Sequence, residues 1–212
     1  MAIKTYSELK TAIKNWTEWD SQLDDRVDEF IDLAEGDLNG DLQVNQMLAT
    51  ATGTLTSGSA SLSLPSDFIS VEAFYLTVAS NSAVLAFHTP QNIEILFGSD
   101  AGGQPSAYTI IGSNARLKPV PDSGYAYTLV YHQDIPPLTD AAPSNWVLAT
   151  YPGAYLYGSL KHAAPYLSLG SPNTVTTWDT LYVRNVARIE ADSERAEFPQ
   201  GRLQISLDFA TP

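Results

Sequence analysis

Apolar residues recur every three or four positions at both ends of the chain and every second position through its middle. Tyr6, Leu9, Ile13 and Trp16 fall on one helical face. Thr5, with Glu8 three residues on, forms a capping box, in which hydroxyl and carboxylate satisfy the free N–H groups of a helix start. Leu23, Val27, Phe30, Ile31, Ala34 and Leu38 stripe a second helix, with Ser21 as the expected N-cap and Asp24 behind it. From about Leu48 the period falls to two. The small, Thr- and Ser-rich run from Ala49 to Pro65 predicts strands joined by a turn near Gly58. Residues 68–78 predict another strand. Thr89-Pro90 reads as an N-cap and first helical residue, opening a short helix through Phe97. A hairpin is expected around Gly112-Ser113-Asn114, and Tyr125 to His132 alternate up to a pair of prolines.

The helical period returns after Pro143. Asn145–Thr150 predicts a short helix. Pro152 opens the next, with Leu156, Leu160, Ala163 and Leu167 on one face. Pro165 lacks an N–H and ends or kinks it, and Gly170 is the expected C-cap glycine. A long helix follows from Ser171-Pro172, with Val175, Trp178, Leu181, Tyr182, Ile189 and Ala196 as its buried side, and stops at Pro199 and Gly201. In the tail, Leu203, Ile205, Leu207 and Phe209 alternate with Gln204, Ser206 and Asp208, a strand with no hairpin partner beside it. Its backbone groups need partners, which a sheet edge in another subunit would supply, or the chain's own β region.

The expected class is therefore α+β. A helical bundle forms from N-terminal (1–47) and C-terminal (140–198) helices, an antiparallel β domain (48–139) is inserted between them, and a strand-like arm (199–212) closes the chain.

Charge changes the picture more than length does. Charged residues make up 17% of the 212 residues, below the roughly 25% of an average globular protein. Eleven Tyr and four Trp accompany that low value. Asn145–Gly170 carries one formal charge, Lys161, beside Trp146, Tyr151, Tyr155, Tyr157 and Tyr166, as expected of a helix that excludes water on most sides. The net charge of −13 opposes binding to nucleic acid phosphates and suits a basic protein partner. Residues 1–42 alone hold eleven carboxylates against four cations. The chain has no cysteine, which excludes disulfides and thiolate metal sites. Neither a signal-peptide pattern nor an apolar run long enough to span a bilayer is present in the sequence.

Catalytic chemistry finds no footing in the pattern. Asp37, Asn39 and Asp41 match the first ligand positions of an EF-hand loop, but the turn glycine is replaced by Leu42 and the closing Glu by Leu48, so no metal site is expected. His88, His132 and His162 are separated from each other and from carboxylates at ligand spacing. There is no G-x-S-x-G, P-loop or dinucleotide fingerprint. Asn15-Trp16-Thr17 is a formal glycosylation sequon and is taken as chance. No enzyme activity and no cofactor are expected.

The order of these pieces resembles the head-to-tail adaptor (connector) proteins of tailed bacteriophages. The opening helix pair is carried by "YSELKTAIKNW" and "DDRVDEFIDLAEGDLNGDL", the first strand by "LSLPSDFISVEAF", and the hairpin and Pro-Pro-Leu turn by "YTIIGSNARLKPVPDSGYAYTLVYHQDIPPLTDAAPSNWVL". The most specific piece is "YPGAYLYGSLKHAAPYL". The family usually has charged residues where this chain has Gly36 and Gly40, and the helix from Pro172 is richer in Thr than expected.

The resemblance implies a structural virion protein at the head-tail junction, made in the host cytoplasm. It implies a ring of roughly twelve subunits closed by head-to-tail contacts, docked beneath the portal protein and offering a surface to tail, nozzle or tube proteins. Genome DNA would pass through its channel without sequence-specific binding, and no membrane is involved. Leu203, Ile205, Leu207, Phe209, Tyr155 and Tyr157 are the expected partner contacts. Another neck or tail-completion protein is the alternative, with a carbohydrate-binding β-module, whose exposed Tyr and Trp would stack on sugars, as a more distant one.

Overall fold

The computed structural model describes residues 3–17, 26–78, 81–98, 101–166 and 172–197. The chain divides into two compact units, one of residues 1–46 and 137–212, the other of residues 47–136. The described residues form an α+β protein with six α-helices and ten strands.

In the first unit, α1 (Tyr6–Thr17) starts at the expected capping box. The Glu8 carboxylate accepts from the backbone N–H groups of Lys4 and Thr5, and Thr5 Oγ1 accepts from Glu8 N. Tyr6, Leu9 and Ile13 are buried as expected, but Trp16 is 51% exposed. Thr17, one position further round the helix, takes the inward place and closes its hydroxyl onto the Ile13 carbonyl. α2 (Val27–Asp41) buries Val27, Phe30, Ile31, Ala34 and Leu38. Leu23, Ser21 and Asp24 lie outside the described residues. The Asp37-to-Asp41 stretch is helical and not a cation-binding loop.

Asn145 caps α4 (Trp146–Thr150) through its side-chain oxygen, and α5 (Pro152–Tyr166) follows with Pro165 inside it, while Leu167 and Gly170 lie outside the described residues. α6 (Pro172–Glu197) packs on α5, as does α2 from another side, so α5 is the central helix. Its uncharged composition follows from burial on most of its faces, where Ala154, Tyr155, Leu156, Gly158, Ser159, Leu160, Ala163 and Ala164 are all enclosed. Gly158 is a contact point. A Cβ there would stand 3.0 Å from Ala34 Cβ on α2 and 3.3 Å from the Tyr182 ring on α6. The inward stripe of α6 is Tyr182, Val186, Ile189 and Ser193. Ala196, expected inside, is exposed at the last turn, where Ser193 instead meets Asn45 N at 3.1 Å.

The second unit holds two four-stranded sheets. In one, β1 (Leu48–Thr54), β10 (Ala126–Gln133), β3 (Phe68–Val78) and β4 (Asn81–Val84) lie in the order β1-β10-β3-β4. In the other, β2 (Ser61–Ser63), β8 (Asn114–Lys118), β7 (Ala107–Ile111) and β5 (Ala86–Phe87) lie in the order β2-β8-β7-β5. The first two strands share no hairpin: the turn at Gly58 moves the chain from one sheet to the other. β1 runs antiparallel to β10 from Leu48 opposite His132 to Thr54 opposite Ala126.

Phe74, Leu76, Leu129 and Tyr131 of the first sheet meet Tyr108, Ala115 and Leu117 of the second in one core. The β7–β8 hairpin turns at Gly112, whose φ of 61° suits a residue without a Cβ. Pairing is not wholly antiparallel. β5 pairs β7 in parallel because α3 (Pro90–Phe97), capped by Thr89, carries the chain back across, as a parallel pair requires. A second short parallel pair joins β6 (Gly102–Gly103) to β9 (Val120–Pro121). The Lys118–Pro119 peptide bond is cis.

Candidate functional site

The helical unit is joined by three carboxylates of α2, each turned inward or sideways. Glu35 follows Ile31 by one turn and sits at the edge of the apolar stripe, only 7% exposed. Its Oε1 accepts from Leu138 N at 2.7 Å and from the Tyr155 hydroxyl at 3.3 Å. Asn145 Nδ2 in turn donates to the Tyr155 hydroxyl oxygen at 2.6 Å. One carboxylate thus ties α2, the segment after the β unit, the α4 cap and α5. Burial pushes the Glu35 carboxyl upward, against the lowering effect of the hydrogen bonds from Leu138 and Tyr155. The Tyr155 phenol is raised by the same burial and by the neighbouring carboxylate.

Asp37 Oδ2 lies 2.8 Å from Lys161 Nζ and 2.7 Å from His162 Nε2, both on α5. Burial works against ionisation of Asp37, but the hydrogen bonds and charges of Lys161 and His162 outweigh it and hold the carboxyl below its ordinary range. Lys161 Nζ also stands 3.8 Å from the centre of the Tyr182 ring, whose hydroxyl donates to Asp41 at 2.9 Å. The letters that resemble a calcium loop are therefore engaged in clamping α2 to α5 and α6. His162 gains a carboxylate partner 125 positions away, which no spacing rule along the chain would find. Among the described residues, no group of three or more His, Cys, Asp or Glu is placed to hold a metal ion.

Several large apolar residues are exposed among the described residues. In the helical unit these are Trp16, Leu33, Tyr166 and Val183. Trp16 stands edge-on to Tyr157 with ring centres 5.9 Å apart, and a groove of about 470 Å³ follows the outer face of α1 from Ile3 to Trp16. In the β unit, Val84, Phe87, Ile95, Leu96 and Ile111 are exposed. Ile95 and Leu96 are adjacent on α3, whose Glu94 is held on β8 by Arg116 at 3.0 Å and Lys118 at 3.8 Å.

Of the partner contacts expected from sequence, Tyr155 is corrected. Its side chain is fully buried and its hydroxyl is used within its own unit, so it offers no surface. Tyr157 is half-buried beneath Trp16. Leu203, Ile205, Leu207 and Phe209 lie outside the described residues. Glu35, Asp37 and Asp41 were missed as structural groups. The signal for Glu35 was its place beside Ile31, Ala34 and Leu38 on the inward arc.

The helices of this unit are thus clamped by polar groups that face one another, and large apolar residues are left at its surface. A family model described as SU10 adaptor protein matches residues 4–204, and the chain belongs to that family of phage adaptor proteins. Such a family is structural rather than catalytic. No curated protein matches the chain. Among the described residues, no helix is long and apolar enough to cross a membrane.

Proposed function

We propose that the chain is a virion subunit of the head-tail junction, which assembles into a ring beneath the portal, prolongs the DNA channel and presents a docking surface to the tail. The observation that carries this reading is the family match along residues 4–204, which takes in both units and not a single motif. The exposed apolar residues of both units support it, as apolar surface that partners in an assembled particle would cover. The acidic balance also supports it. A net charge of −13 over the whole subunit suits a channel lining that repels phosphates and lets a genome slide without adhering. The alternating tail, Leu203 to Phe209, is offered as a strand that a portal or a ring neighbour accepts at a sheet edge. Tyr157 with Trp16 forms an aromatic contact on the helical unit.

The test is negative-stain imaging and mass measurement of the purified chain with and without portal rings. Rings of adaptor capping the portal are expected. A strict monomer in both conditions would overturn the reading. Binding to tail proteins but never to portal would move the chain to another place in the neck.

A further inference from the structure

α5 lies between α2 and α6, and each of these two outer helices leaves a face that no described element covers. Successive residues turn by about 100° around a helix. On α2 this brings Asp32, Gly36 and Leu33 to the outside, in that order around the axis. On α6 it brings Val183, Ala187 and Arg184 to the outside, in the same rotational sense. All six residues are exposed, with Leu33 at 50% and Val183 at 54%. Among the described residues, neither Asp32 nor Arg184 has an ion-pair partner, whereas Asp28 and Glu29 of α2 are engaged by Lys10 and Arg26.

We infer that the outer face of α2 in one copy receives the outer face of α6 in a second copy of this chain. The two faces are complementary across their width. Each has an apolar side chain on one flank, a small residue in the middle and an unpaired charge on the other flank, and the charges are opposite. With the helices parallel, Leu33 meets Val183 and Asp32 meets Arg184 at the same time. Antiparallel docking would set Leu33 against Arg184 and leave both charges unmatched.

The middle residues permit this. A Cβ at Gly36 would meet nothing within 4 Å of its own chain, so the space above it is open to a neighbour. Burying Leu33 and Val183 removes apolar surface from water, and the charge pair at its edge favours this register over others. The faces lie on different helices, so the contact is heterologous. Every copy offers α2 to one neighbour and α6 to the other, and the pattern repeats until it closes. This rests on the ring assembly proposed above and names the surfaces that build it.

The absence of cysteine permits a direct test. Full-length chain carrying both Leu33→Cys and Val183→Cys is assembled with and without portal rings, oxidised, and separated under denaturing, non-reducing conditions. The expected result is a ladder of dimers, trimers and larger species, with monomers alone from either single variant. Rings seen by negative stain without a ladder would overturn this interface and leave the ring reading intact. A dimer band from one single variant would mean a self-complementary contact and would also overturn it. No assembly in any condition would sink both. As an independent measure, Asp32→Arg and Arg184→Asp should each raise the concentration for half-assembly several-fold, and the two together should restore it. A double variant no better than the single ones would count against the pairing.

Discussion

Glu35 shows how one side chain sets a pH dependence. Burial raises its folded-state pKa above the unfolded value. The native state therefore binds the proton more tightly, and the stability this supplies is complete below the unfolded pKa and is lost as pH rises through the folded one. Glu35→Gln keeps an acceptor for Leu138 N and removes the charge, so urea melts of the variant should vary less with pH across that window than those of the parent. Glu35→Ala leaves the buried Leu138 N–H without its acceptor and should cost about 1–3 kcal/mol at any pH. Equal pH profiles for parent and Gln variant would contradict the assignment. The glycines of α2 and α5 make a second contrast. Gly158→Ala forces a methyl against Ala34 Cβ at 3.0 Å, which neither helix backbone easily yields, and should destabilise by about 1–3 kcal/mol. Gly36→Ala meets nothing and should stabilise the monomer by up to about 1 kcal/mol. Thermal melts of both variants check the signs.

Among the elements, α5 depends on the carboxylates that reach it from α2. Asp37 has a lowered pKa in the folded chain, so its contribution is present above the unfolded carboxylate value, about 4, and is lost as pH falls through the folded value. Asp37→Asn should flatten the acid side of the stability profile and lower the melting temperature at neutral pH. An unchanged acid limb would show that Lys161 and His162 gain nothing from it. Elements whose signals are local were legible in the sequence. The Thr5–Glu8 box, the Thr89-Pro90 start of α3 and the Gly112 turn all appear at their expected residues, because a cap or a turn is decided within four positions, whereas Asn145, expected as the first residue of its helix, is the cap that precedes it. The pairing of β1 with β10 and of β2 with β8 was not legible, because it joins strands far apart in the chain. Periodicity placed Trp16 inside and missed that Thr17 claims the last inward position of α1. It likewise gave no hint that His162 meets Asp37.

For the molecule as a whole, the division into two units carries its own expectation. The β unit has a core drawn from both of its four-stranded sheets, and among the described residues every member of that core lies within residues 47–136. Residues 47–136 expressed alone should therefore fold, with a strand-dominated circular dichroism spectrum and a cooperative melt. A spectrum without structure would show that the helical unit is needed to complete it. Tyrosine–carboxylate hydrogen bonds occur in both units, from Tyr131 with Asp67 to Tyr151 with Asp192.

The register of β1 on β10 has a mechanical consequence. Leu48 opposite His132 means that the chain enters and leaves the β unit at the same end of one antiparallel ladder. Tension applied between residues 46 and 137 would load the rungs one after another and open the ladder like a zipper. Tension applied along the strands would load all rungs together in shear. The β unit is thus soft toward a pull that parts its two connections and stiff toward one that drags β1 lengthwise past β10. An optical-tweezers comparison of these two pulling directions should find the first yielding at the lower force.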